Sequence, residues 1–208
     1  MSFIAEIKSF SVDYAIHPAA AFRSVLPYAL FGIVVLIVVH FGLSWFGGRA
    51  AARHSRWNWW ERLVYLGVLG SVGLLGATAF FGVLRFGALH GWLLFAHMFG
   101  AGAFVAVLPV VALTWCEANR FVRGRAPRGA LATAGTAPRF FWLPKAMFWI
   151  LLAGGLVVSL TMLVSMLPLY GTEGLEQLLD LHRYSGLLVV AATVFHFYSV
   201  LLQRIGWR

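Results

Sequence analysis

Five stretches of this chain, 26–46, 63–81, 92–115, 146–169 and 182–202, run with almost no charged side chain. Each is long enough to cross the roughly 30 Å hydrocarbon core of a bilayer as a helix, which takes about 20 residues. Lipid offers no partner to a backbone N–H or C=O, so a spanning segment must satisfy its own hydrogen bonds, and a helix does so within one segment. The pattern predicts an all-α integral membrane helical bundle with five transmembrane helices. Its 208 residues leave no room for a separate soluble domain. A composition of 61% hydrophobic and 11% charged residues fits the same class.

The net charge of +9 suggests nucleic acid until its distribution is read. Arg49, Arg53, Arg56 and Arg62 follow the first span, and Arg120, Arg123, Arg125, Arg128, Arg139 and Lys145 follow the third. Arg204 and Arg208 follow the fifth. Only Lys8, Arg23, Arg85 and Arg183 fall on the other side, where 170–181 instead carries Glu173, Glu176 and Asp180. By the positive-inside rule the basic segments are cytoplasmic, which puts the amino terminus outside and the carboxy terminus inside. The positive charge therefore reports topology, with lipid bilayer and not nucleic acid as the partner. Residues 1–23 are mixed and amphipathic, and their charges precede a run long enough to span, unlike a cleaved signal.

Histidines are the ionisable groups that stand out in the spans. His182 and His196 are fourteen residues apart, nearly four helical turns, so both rings leave one face of one helix about 21 Å apart along its axis. Two imidazoles at opposite edges of a bilayer suit axial ligands for two stacked haems; the bland alternative is two polar residues at helix ends. His97 lies in the third span and His40 in the first. Counting back from the nearest cytoplasmic arginine, His97 matches the depth of His182 on the outer side, and His40 matches that of His196 on the inner side. The spans carry no acid, which weighs against a small transporter. His17, His54 and His90 read as surface or interfacial residues. The lone Cys116 excludes a disulfide framework and a cysteine-held cluster. Without C-x-x-C-H, any haem is b-type. Gly67, Gly70, Gly73 and Gly76 recur every third residue in the second span, a pattern that serves close helix packing or the approach of a flat macrocycle.

Motifs add to this. The last span reads H-x3-G-x9-H-x-Y, with His182, Gly186, His196 and Tyr198; the fourth opens Lys145-Ala146-Met147-Phe148-Trp149; His97 is followed by the small Gly100 and Gly102. In order and spacing, residues 57–204 resemble the membrane cytochrome b (gamma) subunit of respiratory formate dehydrogenases, with relatives in nickel–iron hydrogenase and thiosulfate reductase complexes. The resemblance implies an amino-terminal segment, 1–56, with an extra transmembrane helix and a basic inner loop, and a four-helix haem-binding core, 57–208. It also implies heme b, two expected and one possible, and a quinone as diffusible partner. An outer-face redox subunit, an iron–sulfur protein or cytochrome c, would complete a multi-subunit complex. The chain would then be an electron-transfer subunit and not the substrate-converting one.

The sequence departs from that family at one place. Where the family has Glu-Arg-x-x-His-Trp, this chain has Glu61-Arg62-Leu63-Val64-Tyr65-Leu66. A tyrosine therefore stands at the position of an inner-haem ligand. The expected ligand pairs are His97 with His182 outside and His40 with His196 inside, with His54 or Tyr65 as alternatives to His40. A lost inner haem is the further alternative. Gly100 and Gly186 are expected beside the cofactor, and Tyr65, Lys145 and Arg62 beside the quinone. The rival reading is a haem-poor membrane anchor of a redox complex.

Overall fold

The computed structural model describes residues 18–46, 57–121 and 142–205. These form five helices and, among the described residues, no strand: α1 (Pro18–Phe46), α2 (Trp59–Phe86), α3 (Gly91–Trp115), α4 (Trp142–Ser165) and α5 (Thr172–Ile205). All five are long and apolar enough to cross a membrane, and large apolar side chains such as Phe31, Leu66, Phe99, Leu113 and Leu163 lie exposed on the outer surface. The chain is a multi-pass helical membrane protein. His17, His54 and the basic segments 47–56 and 122–141 lie outside the described residues.

Local chemistry sets the helix ends. At the start of α2, Asn58 Oδ1 accepts the Glu61 N–H at 2.7 Å, and the Glu61 carboxylate accepts the Asn58 N–H at 2.9 Å, a reciprocal capping box. At its end, Gly87 adopts φ 80° and returns its N–H to the Val83 carbonyl, the left-handed conformation that glycine enters without a Cβ clash. Pro27 in α1 and Pro109 in α3 each remove one helical donor, a loss that membrane helices tolerate where neighbours re-satisfy the carbonyl.

One boundary differs from the sequence expectation. The acidic segment 170–181, expected as a loop, is helical from Thr172, so α5 has 34 residues and a length of about 51 Å. Hydropathy marks only the part of a helix that sits in lipid. Leu175, Leu178 and Leu179 are helix formers, and Asp180 pairs with Arg183 three residues on at 2.6 Å, which supports the helix beyond the apolar core.

The core is two antiparallel hairpins, α2–α3 and α4–α5, each packed extensively within itself and more sparsely against the other. α1 stands outside this four-helix ring, against α5 and the edge of α2. Arg23 ties it down by donating to the Leu84 carbonyl at 3.0 Å, and Phe22 meets the Tyr184 ring edge-on. Within the ring, α4 uses two successive glycines. A Cβ on Gly154 would come within 2.9 Å of Val189 on α5, and one on Gly155 within 2.9 Å of Phe104 on α3. Small residues here let three backbones approach closely. Antiparallel alternation brings the acidic turns to one end of the bundle, the acidic end, and the residues before and after the basic segments to the other, the basic end.

Candidate metal-ligand sites

At the acidic end His97 of α3 and His182 of α5 face each other across the two hairpins, their ring centres 6.4 Å apart and their planes at 73°. The surroundings of the two rings match. His97 Nδ1 lies 3.1 Å from Thr78 Oγ1, and that hydroxyl points at the Leu74 and Leu75 carbonyls of its own helix at 2.7 and 3.1 Å. His182 Nδ1 lies 3.2 Å from Thr161 Oγ1, whose hydroxyl points at the Val158 carbonyl at 2.8 Å. The Val158 carbonyl is also 3.2 Å from His182 Nδ1. A threonine hydroxyl has one proton, and here a backbone carbonyl takes it. The hydroxyl oxygen therefore accepts from the imidazole, Nδ1 carries the hydrogen in both rings, and Nε2 keeps its lone pair. Orientation of a ligand imidazole through its other nitrogen is the usual outer-shell arrangement of a metal site.

The spacing tests whether these residues suit a haem. Imidazole nitrogen binds a metal such as zinc at about 2.0–2.1 Å, so two imidazoles on opposite sides of one ion hold their ring centres about 6 Å apart. The observed 6.4 Å fits that requirement. The angle between planes is no obstacle, because each ring turns about its own metal–nitrogen bond. Among the described residues no group of three or more His, Cys, Asp or Glu side chains comes together. Two imidazoles at this spacing could serve as two ligands of an ion whose remaining ligands came from elsewhere.

At the basic end His196 is buried, 8% exposed, and its Nδ1 donates to the Pro144 carbonyl at 2.8 Å. Among the described residues, the rings against it include Tyr65 at 6.0 Å and Phe148 at 6.3 Å. Tyr65 belongs to a cluster: Trp57 lies 4.8 Å from it, Trp115 lies 5.8 Å from it, and the two indoles are 5.6 Å apart. Phe197 stacks on the open side of Tyr65, and the Arg204 guanidinium covers Trp57 at 4.5 Å. The Tyr65 hydroxyl and the Trp115 indole N–H are buried and, among the described residues, have no hydrogen-bond partner.

The expected pairing of His40 with His196 is not what the structure forms. His40 Nδ1 meets the Tyr198 hydroxyl at 2.9 Å and Ser44 Oγ at 3.4 Å. Tyr198 and His196 are two residues apart on α5, hence about 200° apart around it, so α1 approaches α5 on the side away from His196. Depth alone did not carry this information, because two residues can share a depth and face opposite ways. Tyr65 lies beside His196, and His54, the other alternative, lies outside the described residues.

Lys145, also at the basic end, bonds to the backbone of the neighbouring hairpin. Its ammonium is buried and donates to the Arg120 carbonyl at 2.8 Å, while Trp149, four residues on and on the same face of α4, donates to the Asn119 carbonyl at 3.1 Å. The two residues grip the turn that ends α3. Arg62 is exposed. Gly100 serves packing, since a Cβ there would meet Leu74 and Leu75 of α2 at 3.2–3.4 Å; at Gly186, one turn from His182, a Cβ would meet nothing within 4 Å. Sequence reasoning missed Thr78 and Thr161. The available signal was a hydroxyl in each of two apolar spans, which needs an internal partner once buried. It also missed Trp57 and Trp115, whose positions at span edges read as an interfacial belt.

No family model matches the chain, and neither the curated proteins nor the solved structures provide a match.

Proposed function

We propose that this chain is the membrane subunit of a b-type cytochrome complex, passing single electrons between a redox partner at the acidic end and the quinone pool. The observation that carries the reading is the His97–His182 pair, 6.4 Å apart with both Nδ1 atoms committed to threonine oxygens. A haem held there supplies one-electron transfer at a potential set by its ligands, their hydrogen bonds and the dielectric around them. His97 and His182 hold the iron, Thr78 and Thr161 fix the rings, and the helices keep water away. The resemblance to formate dehydrogenase gamma subunits supplies the quinone and the bacterial inner membrane, and the distribution of basic residues supplies the orientation with the basic end in the cytoplasm. Substrate chemistry belongs to a partner subunit.

Absorption spectroscopy of the purified chain tests this directly. The expected result is a Soret band with sharp α and β bands of a low-spin ferrous b-type haem. Alanine at His97 or His182 removes that signal without preventing membrane insertion. A colourless wild-type protein would leave the anchor reading, which the tyrosine at position 65 favours, as the correct one.

A further inference from the structure

His40 is exposed on the surface of α1, in a span whose neighbouring side chains are apolar, whereas ionisable groups in membrane spans almost always face the interior of the bundle. α1 has 29 residues, a length of about 43 Å. A hydrocarbon core of roughly 30 Å centred on it reaches to within about 7 Å of either end. His40 stands six positions, about 9 Å, before the last residue of α1. It therefore lies just inside the hydrocarbon boundary, with Trp45 beyond it toward the basic end. Its partner comes from α5. The Tyr198 hydroxyl lies 2.9 Å from His40 Nδ1, the two rings meet edge-on with centres 5.6 Å apart, and Ser44 Oγ approaches the same nitrogen at 3.4 Å. Both hydrogen bonds fall on Nδ1, so Nε2 has no partner among the described residues. The pair marks the seam between α1 and α5. Leu36 and Leu43, about a turn to either side of His40, and Val194 and Leu201, about a turn to either side of Tyr198, are exposed and line the seam with apolar surface.

We propose that this seam binds the headgroup of a membrane quinone or quinol, with His40 and Tyr198 as its hydrogen-bonding residues. The proposal rests on the cytochrome reading for the quinone class, and it gives that ligand a place on the side of α5 away from His196. Depth requires a molecule that dissolves in lipid, since a phospholipid headgroup stays outside the hydrocarbon core. The His40–Tyr198 bond sets what that molecule must offer. When the Tyr198 hydroxyl donates to Nδ1, Nε2 carries a hydrogen and donates outward, while the Tyr198 oxygen accepts. When Nδ1 donates to the Tyr198 oxygen, the hydroxyl proton is free to donate and Nε2 accepts. Each tautomer thus presents one donor and one acceptor. A quinone carbonyl uses the donor and a quinol hydroxyl uses the acceptor, so the pair serves both forms by exchanging tautomers. The ligand in turn satisfies Nε2, which hydrocarbon cannot do. The exposed leucines and valine beside the pair receive the isoprenoid chain.

Binding of a short-chain ubiquinone to the purified full chain in phospholipid nanodiscs is the test, measured by titration calorimetry with the Soret band recorded on the same samples. Saturable binding is expected. His40→Ala and Tyr198→Phe should each weaken it by about tenfold, the effect of one lost hydrogen bond. Tyr198→Phe keeps the ring and removes only the hydroxyl, so it separates binding from the fastening of α1 to α5. Tyr28→Phe, toward the other end of α1, should leave the affinity unchanged. The Soret band should persist in all three variants. A photoactivatable azidoquinone should label the segments 36–44 and 194–201. Equal affinity in the wild type, His40→Ala and Tyr198→Phe would overturn the site and leave the cytochrome reading standing. So would the absence of saturable binding to a haem-bearing chain, or displacement by the isoprenoid alcohol that lacks the quinone ring. A wild-type chain without haem would overturn the cytochrome reading, and the quinone class with it.

Discussion

A neutral histidine presents one nitrogen that donates and one that accepts, and at His97 and His182 a threonine decides which is which. Each threonine proton goes to a carbonyl of its own helix, so Nδ1 donates and Nε2 keeps its lone pair. On the proposed reading, in which Nε2 of each ring holds a haem, Thr78→Val or Thr161→Val should loosen that ring without removing it. Haem affinity should fall by about tenfold to a hundredfold, the usual effect of losing an outer-shell partner. Thr161→Val should sit at the mild end, since the Val158 carbonyl still accepts from His182; haem-transfer kinetics to apomyoglobin would report both. Tyr65→Phe should act oppositely on stability. It deletes a buried hydroxyl that has no partner among the described residues, and a gain of about 1 kcal/mol in detergent unfolding is expected. Just beyond the third span, burial pushes the Cys116 thiol up from its ordinary range. Its thiolate fraction at neutral pH is lower than that of a free cysteine, so alkylation should be slower there and should accelerate only at higher pH than for the free amino acid. Rates of iodoacetamide labelling from pH 7 to 10 would show the displaced midpoint.

At the scale of helices, the close contacts around α4 make the clearest demands. Gly155→Leu would drive a side chain into Phe104 of α3 and Leu108 beside it. A loss of about 1–3 kcal/mol is expected from such overpacking, read as a lower midpoint in a denaturant titration. Lys145→Met should release the turn at the end of α3, and proteolysis near residue 120 should quicken in the variant. Which parts of this architecture the sequence disclosed follows from what each residue had to do locally. Apolar runs revealed all five helices, because a membrane span must be both apolar and continuous. Yet α5 began ten residues before its hydropathy did, because helix formation does not need lipid. The depths of His97 and His182 were legible from their distances to charged boundaries, and the pair indeed meets. His40 had the right depth and the wrong direction, since the rotation of α1 about α5 is a packing outcome that no local pattern encodes. The Lys145–Trp149 motif was legible as a motif, but its purpose required seeing the α3 turn that both side chains hold.

The molecule as a whole is polar along its axis. Its acidic end presents Glu173 and Glu176 exposed on one face of the first turns of α5, while Asp180, on the same face, is half-buried and paired with Arg183. A basic redox partner would be steered to this stripe. Reversing Glu173 and Glu176 to lysine should slow association by about tenfold or more at low salt, with the difference shrinking as salt rises; stopped-flow reduction of the haem by the isolated partner would measure it. At the other end, the Trp57, Tyr65 and Trp115 rings close the bundle beside His196. The facing imidazoles, His97 and His182, lie in the acidic half, and that placement bears on energy conservation. Moving an elementary charge across a membrane exchanges about 2.3 kcal/mol for every 100 mV of potential. A haem held by that pair, as proposed, would take its electron from the acidic side across little of that voltage. The step of electron entry would then be nearly indifferent to the membrane potential.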